Sequence, residues 1–144
     1  MFIQSFEVAN LKALRPRTSL RLVQLIEASG APSGAADGAG SYAAMLTADG
    51  LREVARYADG IGVAKSLVQP IDAQGSLGPP TTLVADAHRA GLVVHVWTLR
   101  SDPSFLPAAY RGDPGAEWKR FAALGVDGIF GDFPDVGVAA LGPR

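Results

Sequence analysis

The fold of this chain is decided by Leu92-Val93-Val94-His95-Val96-Trp97-Thr98-Leu99-Arg100. This stretch follows Gly91, contains β-branched and aromatic residues without proline, and ends before the turn-forming run 101–104. Such a run predicts a strand that is buried on both faces, which is typical of a parallel sheet covered by helices. Its polar residues come at the C-terminal end, where α/β folds usually carry their functional groups.

Composition limits the classes of protein to which the chain can belong. Its 144 residues are enough for one domain, and 48% of them are hydrophobic and 19% charged, which indicates a packed core. The 13 basic and 14 acidic residues give a net charge of −1, so no nucleic-acid partner or anionic membrane surface is expected. The absence of cysteine excludes disulfides and thiolate sites.

The sequence contains no apolar run near the roughly 18 residues that a membrane span needs. Its first residues, Met1-Phe2-Ile3-Gln4-Ser5, lack the basic and apolar regions of a signal peptide, so the chain as given is expected to stay in the cytosol.

The hydrophobic pattern predicts five strands that alternate with helices. The strands are expected at 2–6, 20–26, 61–64, 92–100 and 128–130, and the helices at 8–14, 48–58, 83–90, 114–124 and from 134 onward. Every long loop, at 28–45, 66–80 and 101–113, follows a strand, so one face of a parallel sheet should carry all the elaboration. The strand ends on that face are expected to place together Glu7, Glu27, Lys65, Thr98 with Arg100, and Asp132.

Chain length bears on the architecture, because an eight-stranded (βα)₈ barrel needs about 250 residues, or roughly 30 per βα unit. Five units at that rate approach the length of this chain. The sequence therefore predicts an α/β fold that is either a small open sheet or the C-terminal portion, about five βα units, of a TIM-type (βα)₈ barrel. A first strand that begins at Phe2 favours the barrel portion.

The whole chain resembles the C-terminal half or more of the glycerophosphodiester phosphodiesterases, in their longer bacterial secreted form. The resemblance rests on six stretches in this order and spacing: Ile3–Glu7, Leu22–Ile26, Tyr57–Gly62, Leu83–His88, Val94–Asp102 and Gly128–Asp135. It implies that residues 1–144 are a partial domain of this family whose N-terminal strands are missing, and that the longer relatives are periplasmic or secreted.

The resemblance also implies an activity, the hydrolysis of small-molecule glycerophosphodiesters such as glycerophosphocholine to glycerol 3-phosphate and an alcohol. The family uses a divalent cation, Ca²⁺ or Mg²⁺, and a pair of acid–base histidines, which fits the chemistry of a phosphodiester. Its His-Arg-Gly and Glu-x-Asp motifs do not occur here, since the single His-Arg, at 88–89, is followed by Ala90. No catalytic residue is therefore expected in this chain, which should be inactive alone.

Four strand-end residues are the candidates for substrate binding. Glu7 could approach the substrate or a metal, or it could cap the helix that begins at the next residue. Lys65 could pair with a phosphate oxygen, or it could be a solvated loop lysine. Trp97 could line the pocket and stack on a quaternary ammonium group, or it could be a core aromatic. Arg100 could bind phosphate in a bidentate manner, or it could form an ion pair with Asp102 or another rim carboxylate.

Three further residues favour structural roles. His95 lies between valines and is expected to be a hydrogen-bonded core residue. His88 lies on a helix and is expected to be solvated, whereas Asp132 is expected to cap the last helix.

Two other functions stay open at this point. One is a non-enzymatic half-barrel that binds a phosphorylated small molecule, and the other is a related metal-dependent phospholipase. An incomplete barrel would expose two sheet edges, so self-association or docking with an N-terminal barrel half is expected.

Overall fold

A computed structural model describes residues 1–33 and 40–142 as a five-stranded parallel sheet, with the strands in sequence order, that curls into a half-barrel. The strands are β1 (Phe2–Ser5), β2 (Arg21–Ile26), β3 (Gly60–Ala64), β4 (Val93–Leu99) and β5 (Gly128–Gly131). Each strand pairs with the next one along the chain, and the register between β4 and β5 shifts between Val96 and Leu99. The predicted alternation of strands and helices is therefore confirmed.

The connections contain six α-helices among the described residues. They are α1 (Val8–Leu14), α2 (Tyr42–Met45), α3 (Ala48–Val54), α4 (Leu83–Arg89), α5 (Pro114–Ala123) and α6 (Pro134–Leu141). Short 3₁₀ turns lie at Arg15–Arg17, Lys65–Leu67 and Ala108–Tyr110. The long loops follow β2, β3 and β4, as the sequence predicts, so they gather at the C-terminal ends of the strands.

The main core lies between the outer face of the sheet and the helices. Alternate residues of β2, among them Leu22 and Ile26, are fully buried there and share one cluster with Leu11 of α1 and Phe121 of α5. Full burial of side chains of this size stabilises the fold by about 1.5–3 kcal/mol each. The half-barrel is thus held from its convex side, and its concave side remains open for a site.

The helix predicted at 48–58 and the loop predicted at 28–45 differ from the structure, whereas the other elements agree to within one residue at each end. The helix expected at 48–58 ends at Val54, because the backbone tightens into turns in which Arg56 and Tyr57 bond three residues back. Within the loop expected at 28–45, a four-residue helix begins at Tyr42, where the Ser41 hydroxyl accepts the Ala44 N–H at 3.2 Å. Residues 34–39 of that loop lie outside the described residues.

A repeated Asp-Gly-Ile sequence closes the opposite end of the sheet. Asp59, before β3, accepts the Leu22 N–H of β2 and the Arg15 guanidinium, both at 2.8 Å. Asp127, before β5, accepts the Val94 N–H of β4 at 2.7 Å and lies 2.8 Å from His88. His88 is exposed, as expected, and its ring is also paired with this aspartate. Each aspartate joins its own strand to the preceding one.

The first and last strands, β1 and β5, each pair with one neighbouring strand in the described part of the chain. No helix among the described residues is long and apolar enough to cross a membrane.

Candidate functional site

A cavity of about 370 Å³ opens on the concave side at the C-terminal ends of the strands. It collects residues from β1, β2, β4 and β5, because parallel strands bring their carboxyl ends to one edge of the sheet. Its lining consists of Gln4, Phe6, Leu25, Trp97, Thr98, Phe130, Gly131 and Asp132. The lining mixes apolar and aromatic side chains with the polar side chains of Gln4, Thr98 and Asp132.

Trp97 forms the central wall of this cavity. Its indole N–H donates to the Gly62 carbonyl at 2.9 Å, and the ring is half-buried. The Phe6 ring lies 6.0 Å from the indole at an interplanar angle of 85°. A side-chain carbon on Gly62 would approach Leu25 to 2.6 Å, so the glycine leaves room for the wall to close. The structure places Trp97 where a bound molecule would meet it.

Arg100 follows β4 at the rim, and its Nε atom lies 3.0 Å from Asp102 and 3.2 Å from Asp132. The Phe105 ring covers the guanidinium at 4.1 Å. The ion pair with Asp102 that the sequence left as an alternative is present. Asp132 does not cap the last helix as expected, because the N-cap of α6 is Phe133 and has no side-chain capping bond. The Asp132 carboxylate instead faces Arg100.

Lys65 does not line the cavity. Its ammonium group donates to Glu117 Oε1 at 2.7 Å and to the Phe105 carbonyl at 3.4 Å. Glu117 lies on α5 with 1% of its side chain exposed, against 18% for Lys65. Burial raises the pKa of Glu117, and the bond with Lys65 opposes this rise only in part. The lysine therefore joins the end of β3 to α5 rather than standing free in solvent.

Glu7 is half-buried at the N-cap position of α1, but its side chain makes no capping bond. Glu27 is exposed at the end of the neighbouring strand. Burial raises the pKa of the Tyr42 hydroxyl, and the negative charges of Glu27 and Glu7 add to this rise. Neither glutamate forms an ion pair with another described residue, so this side of the rim is electronegative.

These acidic residues do not by themselves make a metal site. Among residues 1–33 and 40–142, no group of three or more histidine, aspartate or glutamate side chains is placed to share a metal ion. Ca²⁺ takes about six to eight oxygen ligands and Mg²⁺ about six. Two strand-end carboxylates supply part of such a set at most, so we derive no reaction step through a metal.

His95 is 7% exposed on the concave side of β4, and its burial lowers its pKa. The Phe2 ring lies 4.8 Å from the imidazole and the Phe130 ring 5.8 Å from it, both edge to face. The predicted burial is confirmed. The predicted hydrogen bond is not found among the described residues, where aromatic packing takes its place. A neutral, enclosed imidazole of this kind is a packing residue.

The structure brings together Trp97, Arg100 and Asp132, and it places Lys65 apart from them. The sequence reasoning missed Phe6, which lies between two polar strand-end residues, and Glu117. A signal for Glu117 was available, because it lies four residues before the buried Phe121 and therefore on the inward face of its helix. A charged residue at an inward helical position indicates a buried partner.

A larger cavity of about 520 Å³ lies between α1 and α3 on the helix side of the molecule. Lys12 lines it and is already paired with Glu53 at 3.6 Å. It lies on the convex side and gathers none of the groups that follow β3, β4 and β5.

The parallel half-barrel with a cavity at its strand ends defines a segment of a TIM-type barrel protein. The model of the glycerophosphoryl diester phosphodiesterase family matches residues 1–136. The chain belongs to this family, as its resemblance implied, and the family is generally metal-dependent.

The chain is similar in sequence to two Arabidopsis thaliana proteins of this family. The chain is 38% identical to glycerophosphodiester phosphodiesterase GDPDL1 over 104 residues. This alignment covers 70% of the present chain and 13% of the relative. It is 33% identical to glycerophosphodiester phosphodiesterase GDPD6 over 134 residues. This alignment covers 92% of the present chain and 35% of the relative. The chain therefore spans well under half the length of either relative.

Solved structures agree on the fold. A Silicibacter pomeroyi chain assigned to the glycerophosphoryl diester phosphodiesterases superimposes with a TM-score of 0.63 at 24% identity, over 97% of this chain and 37% of that chain. An Agrobacterium tumefaciens chain with the same assignment gives a TM-score of 0.55 at 22% identity, over 94% of this chain and 41% of that chain. At these identities the comparison supports the half-barrel fold alone.

Proposed function

We propose that this chain is the substrate-binding portion of a phosphodiester hydrolase that cleaves glycerophosphodiesters to glycerol 3-phosphate and an alcohol. The observation that carries the proposal is the strand-end cavity, which has Trp97 in its wall and whose Asp132 pairs with Arg100, in a chain of the glycerophosphoryl diester phosphodiesterase family. A guanidinium at a rim suits a phosphate, and an apolar wall suits the carbon skeleton of the substrate.

The four strand-end residues take distinct roles in this proposal. Arg100 exchanges one of its two carboxylate partners for a phosphate oxygen of the substrate. Lys65, held by Glu117, contributes positive charge from the end of β3. Glu7 contacts the glycerol part, or contributes one ligand to a divalent cation, Ca²⁺ or Mg²⁺. Trp97 packs against the substrate from the wall of the cavity.

Catalysis in this proposal needs residues beyond these 144. No His-Arg-Gly or Glu-x-Asp motif occurs in the sequence, and the buried His95 faces two phenylalanine rings. Residues 1–144 would then be a partial domain, inactive by itself, that requires the N-terminal strands of a barrel. A half-barrel that binds a phosphorylated small molecule without turnover is the second candidate, favoured by the same missing motifs.

The test of this proposal is complementation. A polypeptide that carries the first three βα units of a family member, with the His-Arg-Gly and Glu-x-Asp motifs, is mixed with this chain and assayed for glycerol 3-phosphate release from glycerophosphocholine. Metal-dependent release by the mixture, lost in an Arg100→Gln variant and kept in Arg56→Gln, supports the proposal. No release, together with calorimetric binding of glycerol 3-phosphate by this chain, would instead favour the non-enzymatic binder. Release from intact lysophospholipids in preference would favour a phospholipase.

We also propose that the edges of β1 and β5 lead the chain to associate with another polypeptide. In residues 1–33 and 40–142, the outer edges of β1 and β5 have no partner strand, and Phe2 is 41% exposed, which favours association with a second copy or with an N-terminal barrel half. Gel filtration is expected to show dimers or larger species. A stable monomer with cooperative unfolding would contradict this part of the proposal.

A further inference from the structure

A phenylalanine near the strand-end cavity is half-exposed and has no role in the core. Phe105 is 52% exposed, and it does not belong to the main hydrophobic cluster of the described residues. Its ring instead covers the Arg100 guanidinium, whose Cζ atom lies 4.1 Å from the ring centroid. An aromatic face attracts a guanidinium, so this contact restricts where the Arg100 side chain can lie.

The turn that carries Phe105 is held from two sides. The Phe105 N–H donates to the Asp102 carbonyl at 2.9 Å, and the carboxylate of the same aspartate accepts from Arg100 Nε at 3.0 Å. The Phe105 carbonyl accepts from the Lys65 ammonium group at 3.4 Å, and Lys65 is itself paired with the buried Glu117 at 2.7 Å. The ring therefore extends from a fixed piece of backbone, although half of the side chain faces solvent.

These contacts leave the outer nitrogens of Arg100 available. The closest contacts of the guanidinium with Asp102 and Asp132 both involve Nε. In the part of the chain that the structure describes, Nη1 and Nη2 donate no hydrogen bond. A phosphate that replaces one carboxylate at Nε can therefore also accept from an Nη atom, while Phe105 covers one face of the guanidinium plane.

We propose that Phe105 is a positioning residue, whose ring holds the Arg100 guanidinium beside the cavity in the orientation that a phosphate needs. This proposal rests on the proposed function, in which Arg100 is the phosphate contact. Ordering a long, free side chain on binding costs affinity, and a side chain that is ordered beforehand avoids most of that cost. Phe105 acts only through Arg100 and lies outside the cavity lining, so its replacement should leave the cavity itself intact.

The first test reads the position of Arg100 without any ligand. An aromatic ring shifts the NMR signals of protons over its face, so the Arg100 Nε–H signal, assigned with an Arg100→Gln variant, should be displaced from those of exposed arginines. Phe105→Leu is expected to abolish this displacement and to lower the heteronuclear NOE of the signal, because the guanidinium becomes mobile. Phe105→Tyr keeps the ring and should preserve both. The control Phe2→Leu removes a ring that is 41% exposed beside Arg21, and it should leave the Arg100 signal unchanged.

The second test measures glycerol 3-phosphate binding by calorimetry. Phe105→Leu is expected to weaken binding about threefold to tenfold, which corresponds to the cost of ordering one long side chain, whereas Phe105→Tyr and Phe2→Leu should bind as the unmodified chain does. An unchanged Arg100 signal in Phe105→Leu, or a changed signal with unchanged affinity, would overturn the proposal. If the unmodified chain does not bind glycerol 3-phosphate, the proposed function fails, and the Arg100 signal still decides whether Phe105 orients this guanidinium.

Discussion

The buried ion pair between Lys65 and Glu117 makes the sharpest stability prediction. Only 1% of the Glu117 side chain and 18% of the Lys65 side chain are exposed, and their charged atoms lie 2.7 Å apart. Removing one partner leaves the other charge buried, which costs about 3–5 kcal/mol. Replacing both by apolar side chains of similar size removes that penalty. Lys65→Met is therefore expected to lower the free energy of unfolding by about 3–5 kcal/mol at pH 7, and Glu117→Leu by a similar amount.

The double variant Lys65→Met/Glu117→Leu is expected to lose about 2–3 kcal/mol less than the sum of the two single variants. Urea unfolding of the four proteins, followed by circular dichroism, measures this coupling. The milder Glu117→Gln variant keeps an oxygen acceptor for Lys65 and should cost about 1–3 kcal/mol, so it remains measurable if a single variant fails to fold. Arg56→Gln breaks the exposed pair with Glu53 and should cost less than about 1 kcal/mol.

The sign of the pH dependence follows from the raised pKa of Glu117 in the folded protein. Its contribution to stability is fully present below the unfolded pKa of about 4.3 and is lost as the pH rises through the folded value. Lys65→Met removes the group that opposes this rise, so its loss of stability should be greater at pH 8 than at pH 4. The reasoning would be refuted if the double variant lost the sum of the two single losses to within about 0.5 kcal/mol. It would also be refuted if Lys65→Met lost the same stability at pH 4 and at pH 8.

Two further predictions concern packing and the repeated aspartates. Gly137→Ala would place a carbon 2.5 Å from the Trp118 ring, so it should lower the stability measured by thermal unfolding by about 1–3 kcal/mol. This loss is expected even though alanine favours a helix over glycine by about 1 kcal/mol. The control Val138→Ala, at an exposed position beside Gly137, should change stability little. Burial disfavours the charged form of Asp127, but the Val94 N–H and His88 outweigh it and lower the pKa, so its contribution is present above about pH 4 and lost as the pH falls through the folded value. Because 39% of the Asp127 side chain is exposed and solvent screens its charge, Asp127→Asn should cost no more than about 1 kcal/mol at pH 7, and this cost should shrink as the pH falls below about 4. A cost that does not change with pH would contradict this.

The local pattern of the sequence carries most of the fold. The run from Leu92 to Arg100 predicts a fully buried strand because its β-branched and aromatic residues are continuous, and the structure has β4 at Val93–Leu99. The bounds of α1, Val8–Leu14, are as predicted, and Pro16 marks the end of this helix. The early end of α3 at Val54 was not predictable from spacing, since Tyr57 and Ala58 continue the apolar period within turns.

The position of a cavity at the strand ends was predictable, and so was the pair between Arg100 and Asp102, but the pairings of Lys65 and Asp132 were not. Strand order places Trp97 and Arg100 at one rim, and this follows from topology alone. The bond between Lys65 and Glu117 joins residues 52 apart in sequence, and it depends on how α5 packs across the end of β3. Asp132 could equally have capped α6. Its partner Arg100 is fixed only when β4 and β5 lie side by side.

The central claim, that these residues bind substrate but need others for catalysis, is tested most directly by one assay. Release of glycerol 3-phosphate from glycerophosphocholine is measured for the purified 144-residue chain with Ca²⁺, with Mg²⁺ and with a chelator. No release above that of buffer is expected from a folded sample under any of the three conditions. Metal-dependent turnover would contradict it and would move Glu7 and His95 to the centre of the mechanism.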